Sequence, residues 1–122
     1  MKVLLCMIYL HLIDDYKMQG WLASAKSKNW WITNSPYPLE KYKNDYIIAL
    51  LEHGFMNSFM VHIPIYLWLC QNEKTLLISV LIFAIIHSFI DHLKANCKTI
   101  NLIQDQIIHI VLIVIWWAYF RG

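Results

Sequence analysis

Four long apolar stretches, each bounded by charged or turn-forming residues, set the pattern of the chain. The first covers residues 3–20, and only its early part, Val3 to Ile13, is strictly apolar, broken by His11 and followed by Asp14 and Asp15. The second covers 45–69 and carries Glu52, His53, His62 and Pro64. The third, 75–94, is the cleanest, and the fourth spans 100–120. Each is close to the ~20 residues that a helix needs to cross a bilayer. No stretch alternates as a barrel strand would, so helices, which satisfy their own backbone hydrogen bonds, are expected. The fold expected from this pattern is all-α, a four-helix transmembrane bundle forming one integral membrane domain over residues 1–122.

The intervening segments set the neighbours. Gln71-Asn72-Glu73-Lys74 and Lys94 to Thr99 are short connections, which makes segments two and three, and three and four, antiparallel neighbours. Ser24 to Asn44, with Asn34-Ser35-Pro36 and Pro38, reads as a loop with one interfacial turn at Trp30 and Trp31. The start of the chain imitates a secretory signal with an A-x-A step at Ala23-Ser24-Ala25, but Asp14, Asp15 and Lys17 interrupt it. Retention as the first helix is therefore expected.

Composition narrows the class. Of 122 residues, 59% are hydrophobic and only 15% charged, against about 25% charged in an ordinary soluble domain. A net charge of +2 with no basic stripe excludes nucleic acid as a partner. The three cysteines, Cys6, Cys70 and Cys97, form neither a C-x-x-C pair nor a disulfide framework. The loops after segments one and three hold seven lysines, whereas Lys2, Lys74 and Arg121 lie on the other side. By the positive-inside rule those loops are cytoplasmic and both termini outside, as in a multi-pass protein of a bacterial inner membrane.

The chemistry lies in the ionisable residues inside the apolar segments. His11 and Asp15, His87 and Asp91, and Asp105 and His109 are spaced i, i+4, as are His53 and Asn57. That spacing turns the second side chain only about 40° from the first, so each pair leaves one helix face. Counted inward from Lys17, Asp45, Lys94 and Lys98, the histidines lie at similar depths, roughly 9–17 Å from the cytoplasmic end. Four helices can thus converge on one polar centre. An aspartate at mid-membrane costs about 2.5–3.5 kcal/mol on insertion scales, which a bound cation would offset.

Nitrogen and oxygen donors without thiolate suit one or two divalent transition-metal ions, zinc foremost, with manganese and iron as alternatives. The expected ligands are His11, Asp15, His53, His87, Asp91, Asp105 and His109, with Glu52 and Asp105 as proton-transfer candidates and Gln19 and Gln106 as supporting donors. His62 and His92 turn away from these faces, Asp14 is read as the interfacial end of its helix, and Trp116, Trp117 and Tyr119 as an aromatic belt.

Two functions remain open on these residues. One is a metal-dependent hydrolase acting on a lipid or other amphiphile. The other is a non-enzymatic membrane module, an ion or proton conduit or a phage-type interaction protein, in which the cluster is polar glue. Oligomerisation stays open as well.

The blocks HLIDDYKMQ (His11 to Gln19), His53-Gly54, HSFIDHLK (His87 to Lys94) and DQIIH (Asp105 to His109) resemble a family of short bacterial and phage integral membrane proteins whose domain has no assigned function. The resemblance implies the same polar positions and no particular activity. More distantly, the H-x3-D pattern is similar to small inner-membrane proteins described as metal-dependent hydrolases.

Overall fold

A computed structural model describes residues 1–35, 38–70 and 72–122. Pro36 of the expected turn and Gln71 of the second connection lie outside the described residues. The chain is all-helical, with no strand among the described residues. Helix α1 (Lys2–Ile13) runs directly into a π-helical turn, Asp14–Met18. Three short helices follow: α2 (Leu22–Ala25), α3 (Lys28–Asn34) and α4 (Leu39–Tyr42). The long helices are α5 (Asp45–Trp68), α6 (Glu73–His92), extended by a second π-helical turn at Leu93–Cys97, and α7 (Leu102–Arg121).

Local chemistry sets the ends of these helices. The Asn72 side chain accepts from the Thr75 backbone N–H at 3.1 Å and starts α6. A capping box starts α7, with Asn101 accepting from the Gln104 N–H and the Gln104 side chain returning to the Asn101 N–H. The fourth segment therefore begins as a helix at Leu102 rather than at Ile100.

The hydrogen bonds between helices run in descending register. Leu50 pairs with Ser88 and Val80 with Ser58 between α5 and α6, and His11 with Asn57 and Asp15 with His53 between α1 and α5. Asp15 with Gln106 and Asp91 with His109 continue the same sense around α7. The four long elements thus form an antiparallel ring. The helices α5 and α6 approach closely at Gly54, where an added Cβ would lie 2.7 Å from the Ala84 carbonyl oxygen and 2.1 Å from Ser88 Oγ. Small residues at such a crossing let backbones approach.

The interior mixes ionisable and apolar side chains, while many large apolar ones are exposed. The interior holds His11, Asp14, Asp15, His53, Asn57, His87, Asp91, Asp105 and His109, while Leu5, Ile48, Leu77, Ile85, Ile103 and Val111 face outward. An apolar cluster of Met7, Val61, Ile65, Phe83, Leu112 and Ile113 fills the other half of the ring. Two helical stretches, Glu73–Cys97 and Leu102–Arg121, are long and apolar enough to cross a membrane.

The region expected to be a loop is largely helical. Trp21, Trp30 and Trp31 pack edge to face or tilted, Trp31 stacks on Tyr42 at 6.0 Å, and the Trp31 indole donates to the Ala25 carbonyl at 2.8 Å. Gly20, at φ +53°, supplies the left-handed residue that turns the chain out of the first π-helical turn into this cap. The aromatic contacts, absent from any periodic pattern, hold α2 and α3 across one end of the ring.

Candidate metal centre

The i, i+4 pairs do what their spacing predicts, and the helices bring them together. His53 Nε2 lies 3.0 Å from Asp15 Oδ1, 3.4 Å from His87 Nε2 and 3.5 Å from Asp91 Oδ2. His87 Nε2 is 3.9 Å from Asp15 Oδ1 and 3.8 Å from Asp91 Oδ2. On the other side of Asp91, its Oδ1 meets His109 Nε2 at 3.2 Å, and His109 Nε2 is 3.4 Å from Asp105 Oδ1. The His87 and His109 rings stack with centroids 4.0 Å apart. All seven expected ligands are buried.

These distances can be set against what an ion requires. Tetrahedral zinc with bonds of 2.0–2.1 Å places its ligand atoms about 3.3 Å from one another. The spacings among His53 Nε2, His87 Nε2, Asp15 Oδ1 and Asp91 Oδ2 straddle that value. Three overlapping triads, Asp15–His53–His87, His87–Asp91–His109 and Asp15–Asp105–His109, each bring one donor atom per residue within 4.8 Å of the others. His11 Nε2 and Asp105 Oδ1 are buried without a hydrogen-bond partner. Buried polar atoms are normally satisfied, so donor atoms that converge without hydrogen-bond partners suit a cation. The buried His/Asp groups could therefore hold a metal ion.

Supporting residues fix the donors. Asn57 Nδ2 donates to Asp14 Oδ2 at 2.9 Å, which orients the amide and turns Asn57 Oδ1 to His11 Nδ1 at 3.1 Å. An amide oxygen only accepts, so His11 Nδ1 carries the proton and Nε2 is left with its lone pair toward the cluster. Gln106 Nε2 donates to Asp15 Oδ2 at 2.8 Å, leaving Oδ1 toward His53, and Gln19 donates to the Asp15 backbone carbonyl.

Several placements differ from the sequence expectation. Asp14 is 1% exposed and belongs to the cluster, with Oδ2 3.6 Å from His53 Nδ1. The 100° separation of adjacent residues assumes a regular α-helix. The π-helical turn widens the backbone here, and Asp14 and Asp15 are both buried; such turns are frequent at functional sites. Glu52 stands exposed on α5, beside a shallow apolar groove lined by Ile48, Phe55 and Leu81, and no hydrogen bond or ion pair joins it to the cluster. His62 is buried in a separate network. Its Nδ1 donates to the Ser58 carbonyl at 2.7 Å, its Nε2 accepts from Ser79 Oγ at 2.8 Å, and the Trp116 indole donates to the same hydroxyl at 2.7 Å. Trp116 thus ties α7 to α6 rather than serving only as part of an aromatic belt. His92 stacks on Tyr46 and bonds Asn96 at 3.2 Å.

Two lysines were not legible as site residues. Lys26 Nζ lies 2.6 Å from Asp91 Oδ2, and Lys94 Nζ 2.5 Å from Asp105 Oδ2. Lys94 signals itself weakly, by standing one turn beyond Asp91. Lys26, 65 residues from its partner, carries no such signal.

No protein-family model, curated protein or solved structure matches this chain. The site is therefore read from its own geometry.

Proposed function

We propose that the chain is a four-helix integral membrane protein whose α1, α5, α6 and α7 surround an intramembrane divalent-metal centre, and that it hydrolyses a lipid or other amphiphile. The membrane reading rests on the many large apolar side chains exposed on the outside together with the buried ionisable cluster, since an isolated intramembrane charge is costly and marks function. The lysine bias supports a centre toward the cytoplasmic face with both termini outside.

The observation that carries the metal is the set of three overlapping donor triads sharing Asp15, His87 and His109. Asp91 faces two donor groups with its two oxygens, which suits two ions bridged by one carboxylate. Zinc is the leading ion, with manganese and iron as alternatives. A bound divalent ion supplies Lewis acidity and an acidified water for hydrolysis. His53, His87, Asp15 and Asp91 would hold one ion; His109 and Asp105, with the His11 ring 5.2 Å from that of His109, would hold the other. Asp105, whose Oδ1 accepts no hydrogen bond and lies 3.4 Å from His109 Nε2, is the candidate proton acceptor, because exposed Glu52 stands apart from the donors.

Metal analysis of detergent-purified protein tests this. One or two transition-metal ions per chain are expected, with loss of most of that metal in His87→Ala and Asp105→Asn. A folded, metal-free wild type would remove the enzyme reading. The alternative is a non-enzymatic polar core, favoured by the Lys26–Asp91 and Lys94–Asp105 ion pairs, which already compensate two carboxylates. Metal retained without hydrolysis across a panel of lipid esters and phosphoesters would select a structural metal site.

A further inference from the structure

We infer that Lys26 and Lys94 form an anion subsite beside the metal centre, and that the group it takes is the phosphate of a lipid headgroup. The inference rests on the metal reading above and names the substrate class for the same site.

Burial and placement come first. Lys26 is 4% exposed, an unusual state for a lysine, and it arrives from the cap rather than from a long helix. Asn96 pins it there from both sides: Asn96 Nδ2 donates to the Lys26 carbonyl at 2.9 Å, and the Lys28 N–H donates to Asn96 Oδ1 at 2.7 Å. Asn96 and Lys94 both lie in the π-helical turn Leu93–Cys97, so one local feature positions both ammonium groups. The Trp21, Trp30 and Trp31 packing rigidifies the same cap.

With neutral imidazoles, Asp14, Asp15, Asp91 and Asp105 against Lys26 and Lys94 leave the cluster two negative charges in excess. Two divalent ions, at the two donor groups that share Asp91, reverse this to two positive charges. A buried site of low dielectric does not tolerate that excess without an anionic ligand. The oxygen that Lys26 holds, Asp91 Oδ2, is also the one facing His53 and His87, so a metal there competes with the ammonium for it. A cation held there would leave the Lys26 ammonium beside it, within reach of an anion that the cation also attracts.

Position supplies the ligand class. Lys94 lies one turn beyond Asp91 and two beyond His87, toward the end of the helix, and Lys26 belongs to the cap over that end. The lysines therefore stand on the headgroup side of the carboxylates, and the histidines on the hydrocarbon side. A phosphate entering from the headgroup layer meets the ammonium groups first and the metal donors next. Lysine acts on phosphate as a point charge, which needs no forked geometry.

The test is calorimetric titration of inorganic phosphate into metal-loaded full-length protein, in phosphate-free maltoside detergent. Wild type should bind phosphate, and Lys26→Met should weaken it at least tenfold with the metal content unchanged. Lys94→Gln, at a half-exposed position, should weaken it as well and covers the case in which Lys26→Met does not fold. Dihexanoyl phosphatidic acid should bind at least tenfold tighter than inorganic phosphate; equal affinities would assign the subsite to a soluble phosphate instead. Metal retained, with phosphate affinity indifferent to both lysines, would overturn the subsite alone. Phosphate binding that needs Lys26 in a protein taking up no metal would overturn the metal reading alone. Neither metal nor phosphate bound by wild type would overturn both.

Discussion

At the residue scale, the cluster is organised by groups that present donors as much as by the donors themselves. Asn57 fixes His11 through a chain that begins at Asp14, and removing it frees the imidazole to rotate and leaves Asp14 short of a partner. Replacing Asn57 with Leu should therefore weaken metal binding by about 10–100-fold, the usual effect of losing an outer partner of a ligand. Competition with a chromophoric chelator measures this, and unchanged affinity would show that His11 stands outside the coordination sphere. His62 offers the contrast. Its hydrogen bonds to the Ser58 carbonyl and to Ser79 Oγ are fully satisfied within helices α5 and α6, so it behaves as interhelical glue.

At the element scale, α5 and α6 pack closely, and Gly54 permits their spacing. A methyl group there meets a backbone carbonyl that no rotamer change relieves. Gly54→Ala should cost about 1–3 kcal/mol of stability, the range for overpacking, and should lower metal occupancy too, because His53 is the adjacent residue. Thermal melting with metal analysis checks both. The two π-helical turns form a second device at this scale. One accompanies the burial of two successive aspartates, and the other carries Lys94 to Asp105 and Asn96 to the cap. Each stands at the end of a helix that begins as ordinary α-helix, on the side of the ring where the cap closes.

At the scale of the whole molecule, the proposed topology puts the α5–α6 and α6–α7 connections on opposite sides of the membrane. Two free cysteines report on it: Cys70 beside the first connection and the exposed Cys97 before the second. In intact cells a membrane-impermeant maleimide should label Cys70 and spare Cys97, with Cys97 labelled only after permeabilisation. Cys6, within α1, makes Cys6→Ser the suitable background. Labelling of both cysteines from one side would remove the four-span arrangement, and with it the common depth of the donor residues. The reverse pattern would keep the arrangement and invert its orientation.

The sequence by itself determined the helices and the faces their polar residues share. A period of 3.6 residues is local, and so is the i, i+4 spacing that puts His87 with Asp91 and Asp105 with His109 on one side. Caps at Asn72 and Asn101 are equally local, which is why the long helices begin within about two residues of their expected positions. What only the tertiary structure decided depends on contacts distant in sequence or on departures from the regular helix. Lys26 reaches Asp91 across 65 residues because a cap of tryptophans and Asn96 directs it there, and no periodicity encodes that path. Asp14 joins the cluster because α5 packs against its face too, bringing Asn57 and His53 to its carboxylate. Glu52, adjacent to His53 in sequence, falls on the outside because neighbours on a helix point about 100° apart. Spacing along a helix specifies a face; it takes the packed ring to decide what that face meets.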